Sequence, residues 1–243
     1  MKKIFVLLLG ASLIMFNTGC FDIVEEVFLN KNGSGKYLVT MDMSGLFKDP
    51  FMKGMMKESL EQQEGGSANL EKDSVIYFKD MPEADELSAE EQKLIENAVI
   101  KMTMSEKQEK MLVNIEIPFA NVEDMTKISK VLEKVGADTQ VAGGMMGGGM
   151  MNGSAASFLL KNKTLTRLPA PKMSEEAKTD ENMEMMKMFL GQATYKTIYH
   201  LPGKVKKAGI PGAEVDGSTV TVTNSLLDMM DGKVKVDGDI KFK

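Results

Sequence analysis

The sequence predicts an α+β fold: an antiparallel sheet with several short Met-rich helices packed on it. Three observations predict it. Alternating apolar and polar runs are joined by hairpin-type turns, short helix-like segments interrupt them without a regular βα repeat, and methionine gathers in those segments. With 43% apolar and 27% charged side chains in 243 residues, the chain can bury a real core. Its one cysteine excludes an intramolecular disulfide scaffold.

The first element is not part of the fold. Lys2 and Lys3 precede the run IFVLLLGASLIMF at 4–16, whose thirteen residues are too short for a permanent membrane-spanning helix. Residues 1–19 are therefore predicted to be a signal peptide and 20–243 a single α+β envelope domain. The run ends in Asn17-Thr18-Gly19-Cys20, which resembles the lipobox of bacterial lipoproteins, although Asn17 stands where that family usually carries Leu, Val or Ile. The resemblance implies cleavage before Cys20 and acylation of its thiol and amine; plain secretion with a free thiol is the alternative. Lipid attachment at roughly 0.8 kcal/mol per buried CH₂ would be effectively permanent once two or three chains are present. Lipid held through acylated Cys20 is thus the first expected partner. Asp22 lies close to the anchor, where acids influence inner-membrane retention by the sorting rules of the lipoprotein family; the expected address is the outer membrane. Loss of Lys2 and Lys3 moves the charge from −5 to −7, which argues against a nucleic-acid partner.

The mature elements follow in order. Val24 to Leu29 and Lys36 to Met43 read as a β-hairpin around the turn residues 31–35, with Tyr37, Val39, Met41 and Met43 on one face. Segment 49–64 reads as a helix with Phe51, Met52, Met55, Met56 and Leu60 on one side. A strand over Ser74–Phe78 comes next. Ser88 and Glu91 have capping-box spacing and open a helix to about Asn97. Strands over Val99–Met104 and Met111–Ile117 precede a helix that Asn121 caps, with Met125, Ile128, Leu132 and Val135 as its buried stripe. Residues 142–153 hold six glycines and four methionines and read as a loop. Phe158–Leu160 and Thr164–Thr166 form a tight hairpin; 180–190 is a second Met-rich helix with Met183, Met186 and Leu190 aligned. Ala193–Leu201 is a strand with Tyr195, Thr197 and Tyr199 on one face, and further strands are expected over 204–207, 219–223 and 233–242, with a helical turn at Leu226–Met230.

The tail from Tyr199 to Lys243 resembles a loosely defined class of bacterial envelope lipoproteins: a strand ending in Pro, a basic strand, a turn at Asp216-Gly217, a strand, a short helical crossing and a final strand. The opening FLNKNGSGKYLVTMDMS resembles the hairpin that begins such proteins. This class implies a fold and an address, and no reaction.

Chemistry-bearing motifs are sparse. The mature chain has one histidine and no tryptophan, so a Cys/His metal cluster or nucleophilic pair cannot be assembled in one subunit. His200 lies on a strand, and no Gly-x-Ser-x-Gly elbow accompanies it, so it reads as a sheet-surface or packed residue. Gly33-Ser34-Gly35-Lys36 reads as a turn rather than a phosphate loop. Glu25-Glu26, Glu90-Glu91 and Glu175-Glu176 read as solvated faces, and Asp228, Asp231, Asp237 and Asp239 lack the spacing of a calcium loop. Methionine is the anomaly, at 23 residues. In helices it substitutes for Leu. In the loop, Met145, Met146, Met150 and Met151 are either passive, an adaptable contact for lipid or an envelope protein partner, or a thioether site for Cu(I). The expected function is a non-enzymatic, lipid-anchored binding or structural module at a membrane surface, without a cofactor. The alternatives are a periplasmic Cu(I)-binding protein using that loop and a carrier of an apolar ligand.

Overall fold

Two sheets arise from side chains that alternate between inward and outward positions. The structure, a computed structural model, describes residues 21–64, 70–136, 156–169 and 190–243. Among these, twelve strands are β1 (Asp22–Leu29), β2 (Gly35–Asp42), β3 (Glu71–Tyr77), β4 (Val99–Ser105), β5 (Lys110–Phe119), β6 (Phe158–Lys161), β7 (Thr164–Arg167), β8 (Thr194–His200), β9 (Val205–Ala208), β10 (Glu214–Asp216), β11 (Thr219–Ser225) and β12 (Gly238–Phe242). The larger sheet runs β10-β11-β8-β1-β2-β5-β4-β3 and the smaller β6-β7-β12-β9. All described pairings are antiparallel except β1 with β8. The fold class is the one predicted.

Period-two burial fixes the inner face of the large sheet. Ile23, Val27 and Leu29 on β1, Met111, Val113, Ile115, Ile117 and Phe119 on β5, and Val220 and Val222 on β11 are all buried, as the pleat requires. A one-residue slip would turn each of these rows to solvent, so register is strongly specified. Tyr195, Thr197 and Tyr199 share one face of β8, as predicted, and that face is the inward one. The small sheet packs over this region: Phe158 meets Tyr199 edge to face at 6.5 Å, and Leu165, Ile240 and Phe242 are buried. Its β6–β7 turn is Asn162-Lys163, both at positive φ, the backbone a two-residue hairpin needs.

Five α-helices join these sheets among the described residues: α1 (Gly45–Lys48), α2 (Pro50–Glu64), α3 (Ala89–Ile95), α4 (Met125–Gly136) and α5 (Leu226–Met230). The Ser88–Glu91 capping box is formed in both directions at the start of α3. Asn121 accepts from the Glu123 N–H and opens a 3-10 turn that leads into α4, whose Met125, Ile128, Leu132 and Val135 are buried together with Val131. Burying each such side chain contributes about 1.5–3 kcal/mol.

Three expectations are corrected. The strand predicted over 233–242 begins only at Gly238, because the Lys233 N–H still closes onto the Asp228 carbonyl and its ammonium sits 2.6 Å from Asp231. On α2 the predicted apolar side divides: Met56 packs on the core, while Phe51 is 65% and Met55 42% exposed. Third, Glu25 is not solvated. The helix predicted for 180–190 lies outside the described residues except at Leu190, where a 3-10 turn leads toward β8.

Candidate functional site

Glu25 stands on the inward face of β1, level with Thr197 on β8 and Val39 on β2, and it is fully buried. Arg167 comes from β7 in the other sheet, where Leu165 and Arg167 are the inward pair. The guanidinium donates from Nη1 to Oε1 at 2.8 Å and from Nη2 to Oε2 at 2.9 Å, a bidentate fork between the sheets. Nη1 also donates to the Tyr199 hydroxyl at 3.1 Å, and the Tyr195 hydroxyl donates to Glu25 Oε2. Thr197 lies beside both, with Oγ1 at 3.4 Å from Glu25 Oε2 and 3.5 Å from Arg167 Nη1.

Electrostatics follow from this enclosure. Burial pulls the Arg167 guanidinium down, but Glu25 and the surrounding tyrosines outweigh that and hold it well above its ordinary value. Burial, then the Glu25 charge, pushes the Tyr195 and Tyr37 hydroxyls well above theirs. Tyr199 is raised by burial against the opposing pull of Arg167. The carboxylate is surrounded by its own donors and buried, and the network ties the two sheets together. Two charges taken from water cost several kcal/mol each, and only this fork plus the hydroxyls offsets the loss.

Adjacency to Glu26 hides the burial of Glu25. The signal lies in period two, since Phe21, Ile23, Val27 and Leu29 share its face. A second signal is compositional: Arg167 is the one arginine beside 29 lysines, and arginine is the cation whose planar fork suits a buried carboxylate.

The predicted site residues are dispersed. Cys20, Glu175-Glu176 and the loop methionines Met145, Met146, Met150 and Met151 lie outside the described residues. Asp22 accepts from the Thr194 N–H at 3.2 Å and its hydroxyl at 2.5 Å, which ties the start of β1 to that of β8. His200 is on the outer sheet face, 2.8 Å from Glu26 and stacked on Phe28 at 4.2 Å, as a sheet-surface residue. Gly33, at φ +86°, belongs to the β1–β2 turn. Asp228 and Asp231 face Lys233, Asp237 faces Lys235, and Asp239 accepts from Thr166 at 2.6 Å. No three His, Cys, Asp or Glu side chains converge on a metal position among the described residues.

Two surfaces among the described residues bear on binding. An open groove of about 520 Å³ runs along β7, β9 and β12 between Thr164, Thr166, Lys207, Asp239 and Lys241. Its lining mixes Thr, Lys and Asp side chains with Leu168 and Pro169, and Thr166 is already bonded to Asp239 across it. The other surface is on α2, which presents Phe51 and Met55 to solvent and is tied through Lys53 to Glu106 in the β4–β5 turn. No described helix is long and apolar enough to cross a membrane.

No family model and no curated protein matches the chain. Among solved structures, the NMR structure of the folded domain of LppM from Mycobacterium tuberculosis aligns over 90% of this chain and 86% of that one, at 6% identity and a TM-score of 0.40. A likeness that distant bears on neither mechanism nor address.

Proposed function

We propose that this chain is a lipid-anchored, non-enzymatic module of the bacterial cell envelope, held on the outer membrane through acylated Cys20 and working there as a binding or structural domain. The observation that carries the reading is the tether. Strand β1 begins at Asp22, near the middle of the large sheet, so Phe21 alone separates the lipobox-like Cys20 from the folded body. An acyl anchor at that point attaches directly to the most constrained part of the fold. Among the described residues, His200 is engaged with Glu26 and Phe28, and Glu25 with Arg167.

Anchoring must come from the acyl chains. Phe51 and Met55 would add about 1.5–3 kcal/mol each even if wholly buried, too little to keep an unacylated domain on a bilayer. Cell fractionation of the Cys20→Ala variant tests the reading. Wild type is expected in the membrane fraction and the variant in the soluble periplasm. Retention of the variant on the membrane, or wild type already soluble, contradicts it.

A further inference from the structure

Strand register defines which parts of the chain share the end of the sheet nearest Cys20. Asp22 is level with Asp42 on β2 and Thr194 on β8, Asp42 with Leu112 on β5, and Thr194 with Ser225 on β11. Consecutive Cα atoms are about 3.8 Å apart, so Cys20 is within about 8 Å of Asp22 whatever the path through Phe21. The chain leaves β2 into α1 and α2 at this same end. Ser44 Oγ accepts from the Met111 N–H at 3.1 Å, and Asp49 caps α2 by accepting from the Phe51 and Met52 N–H groups at 2.9 and 3.1 Å. Glu106, in the turn between β4 and β5, holds Lys53 at 2.7 Å and Lys57 at 3.6 Å. These contacts pin α2 along the rim.

On that pinned helix Met56 turns inward, while Phe51 and Met55, one turn apart, are exposed side by side. The two lysines of α2, Lys53 and Lys57, are both held by Glu106, and Glu58, Glu61 and Glu64 follow them along the helix. Exposed apolar side chains beside an acyl anchor suit entry into the membrane interface. We infer that this face of α2 is a second membrane contact, in which Phe51 and Met55 enter the headgroup–acyl boundary of the bilayer that holds the anchor and fix the orientation of the domain on it. The inference rests on the anchored reading of Cys20. A one-residue tether holds this end of the sheet close to the lipid surface and converts a weak contact into an intramolecular one.

The chain has no tryptophan, so Phe51→Trp makes a single fluorophore on the proposed face. Val215, 50% exposed, is level through Val220 and Tyr199 with Val27, roughly 17 Å along β1 from Asp22; Val215→Trp is the control. Full-length acylated protein, its lipid confirmed by intact mass, is reconstituted into phosphatidylethanolamine/phosphatidylglycerol vesicles with brominated acyl chains. For a side chain about 5–10 Å into the interface, Phe51→Trp emission is expected to fall by about half and shift to the blue, with Val215→Trp unchanged. Equal emission loss in both variants, or none in either while the acyl mass is present, overturns the inference and leaves the anchor standing. A preparation from cells that carries no acyl mass overturns the anchor itself.

Discussion

Arg167 reaches from the small sheet to Glu25 in the large one, with 2.8 and 2.9 Å hydrogen bonds between side chains that are 3% and 0% exposed. These residues are 142 positions apart in sequence, and their contact sets how the two sheets lie on each other. Arg167→Met leaves a carboxylate buried without its counter-ion and is expected to cost about 3–5 kcal/mol in urea unfolding. Arg167→Lys is expected to rescue little, because an ammonium cannot span both carboxylate oxygens. Adding Glu25→Leu to Arg167→Met is expected to recover most of the loss. A single Arg167→Met variant as stable as wild type would show that the pair does not hold the sheets together.

Hydroxyls complete that network unequally. Tyr195 donates to the buried carboxylate, so Tyr195→Phe is expected to cost about 1.5–3 kcal/mol, the range for hydrogen bonds to charged groups. Tyr199 accepts from Arg167 Nη1, which also donates to Glu25, so Tyr199→Phe should cost less. Thermal or urea midpoints of the two variants, compared side by side, check the order; the reverse order would contradict the geometry.

Alkaline pH should unfold the protein through the same residues. Tyr37, Tyr195 and Tyr199 titrate above their ordinary value when folded, since burial and Glu25 oppose the phenolate. A raised folded value means that this stability is fully present below the unfolded value near 10 and is lost as pH rises toward and through the folded one. Ultraviolet titration is expected to show these phenols ionising together with loss of near-ultraviolet circular dichroism. Ionisation of all tyrosines at ordinary pH with the fold intact would contradict the burial.

Acid acts on the joint between α3 and α4. The Lys134 ammonium at 2.5 Å, then the Ser88 N–H and hydroxyl, hold Glu91 down to about 2. A lowered folded value contributes stability above the ordinary carboxylate range that is lost as pH falls through about 2. Glu91→Gln is expected to flatten that part of the pH–stability profile, and Ser88→Ala to cost about 1 kcal/mol at neutral pH by removing the cap. Chemical denaturation at pH 7 and pH 3 measures both. An unchanged acid slope in Glu91→Gln would assign the effect elsewhere.

Gly35 faces a different constraint, of space rather than charge. A Cβ there would fall 1.8 Å from the Phe28 carbonyl oxygen and 2.7 Å from the Phe119 ring. Gly35→Ala must part the β1–β2 ladder or displace Phe119, at a cost of about 3 kcal/mol or more. Wild-type stability in that variant would contradict the packing at this corner.

Local signals in the sequence survive in the structure where one element supplies its own reason. The β1–β2 turn, the Ser88–Glu91 box, the α4 stripe and the alternation of Tyr195, Thr197 and Tyr199 each depend on neighbours within a few residues. What was not legible depends on distant partners. The parallel pairing of β1 with β8 joins residues about 170 positions apart, and the Glu25–Arg167 fork is set by how two sheets stack. Two adjacent glutamates look alike in sequence, and only β1 register sends Glu25 inward and leaves Glu26 to His200. The divided face of α2 has the same origin: its tie to Glu106 is made by a turn in another hairpin.

Intact mass spectrometry of native protein extracted from the membrane tests the central claim most directly. The account expects residues 20–243 carrying two or three acyl chains on Cys20. Recovery of native protein with Lys2 and Lys3 still attached, or with a free Cys20 thiol and no lipid, would contradict it.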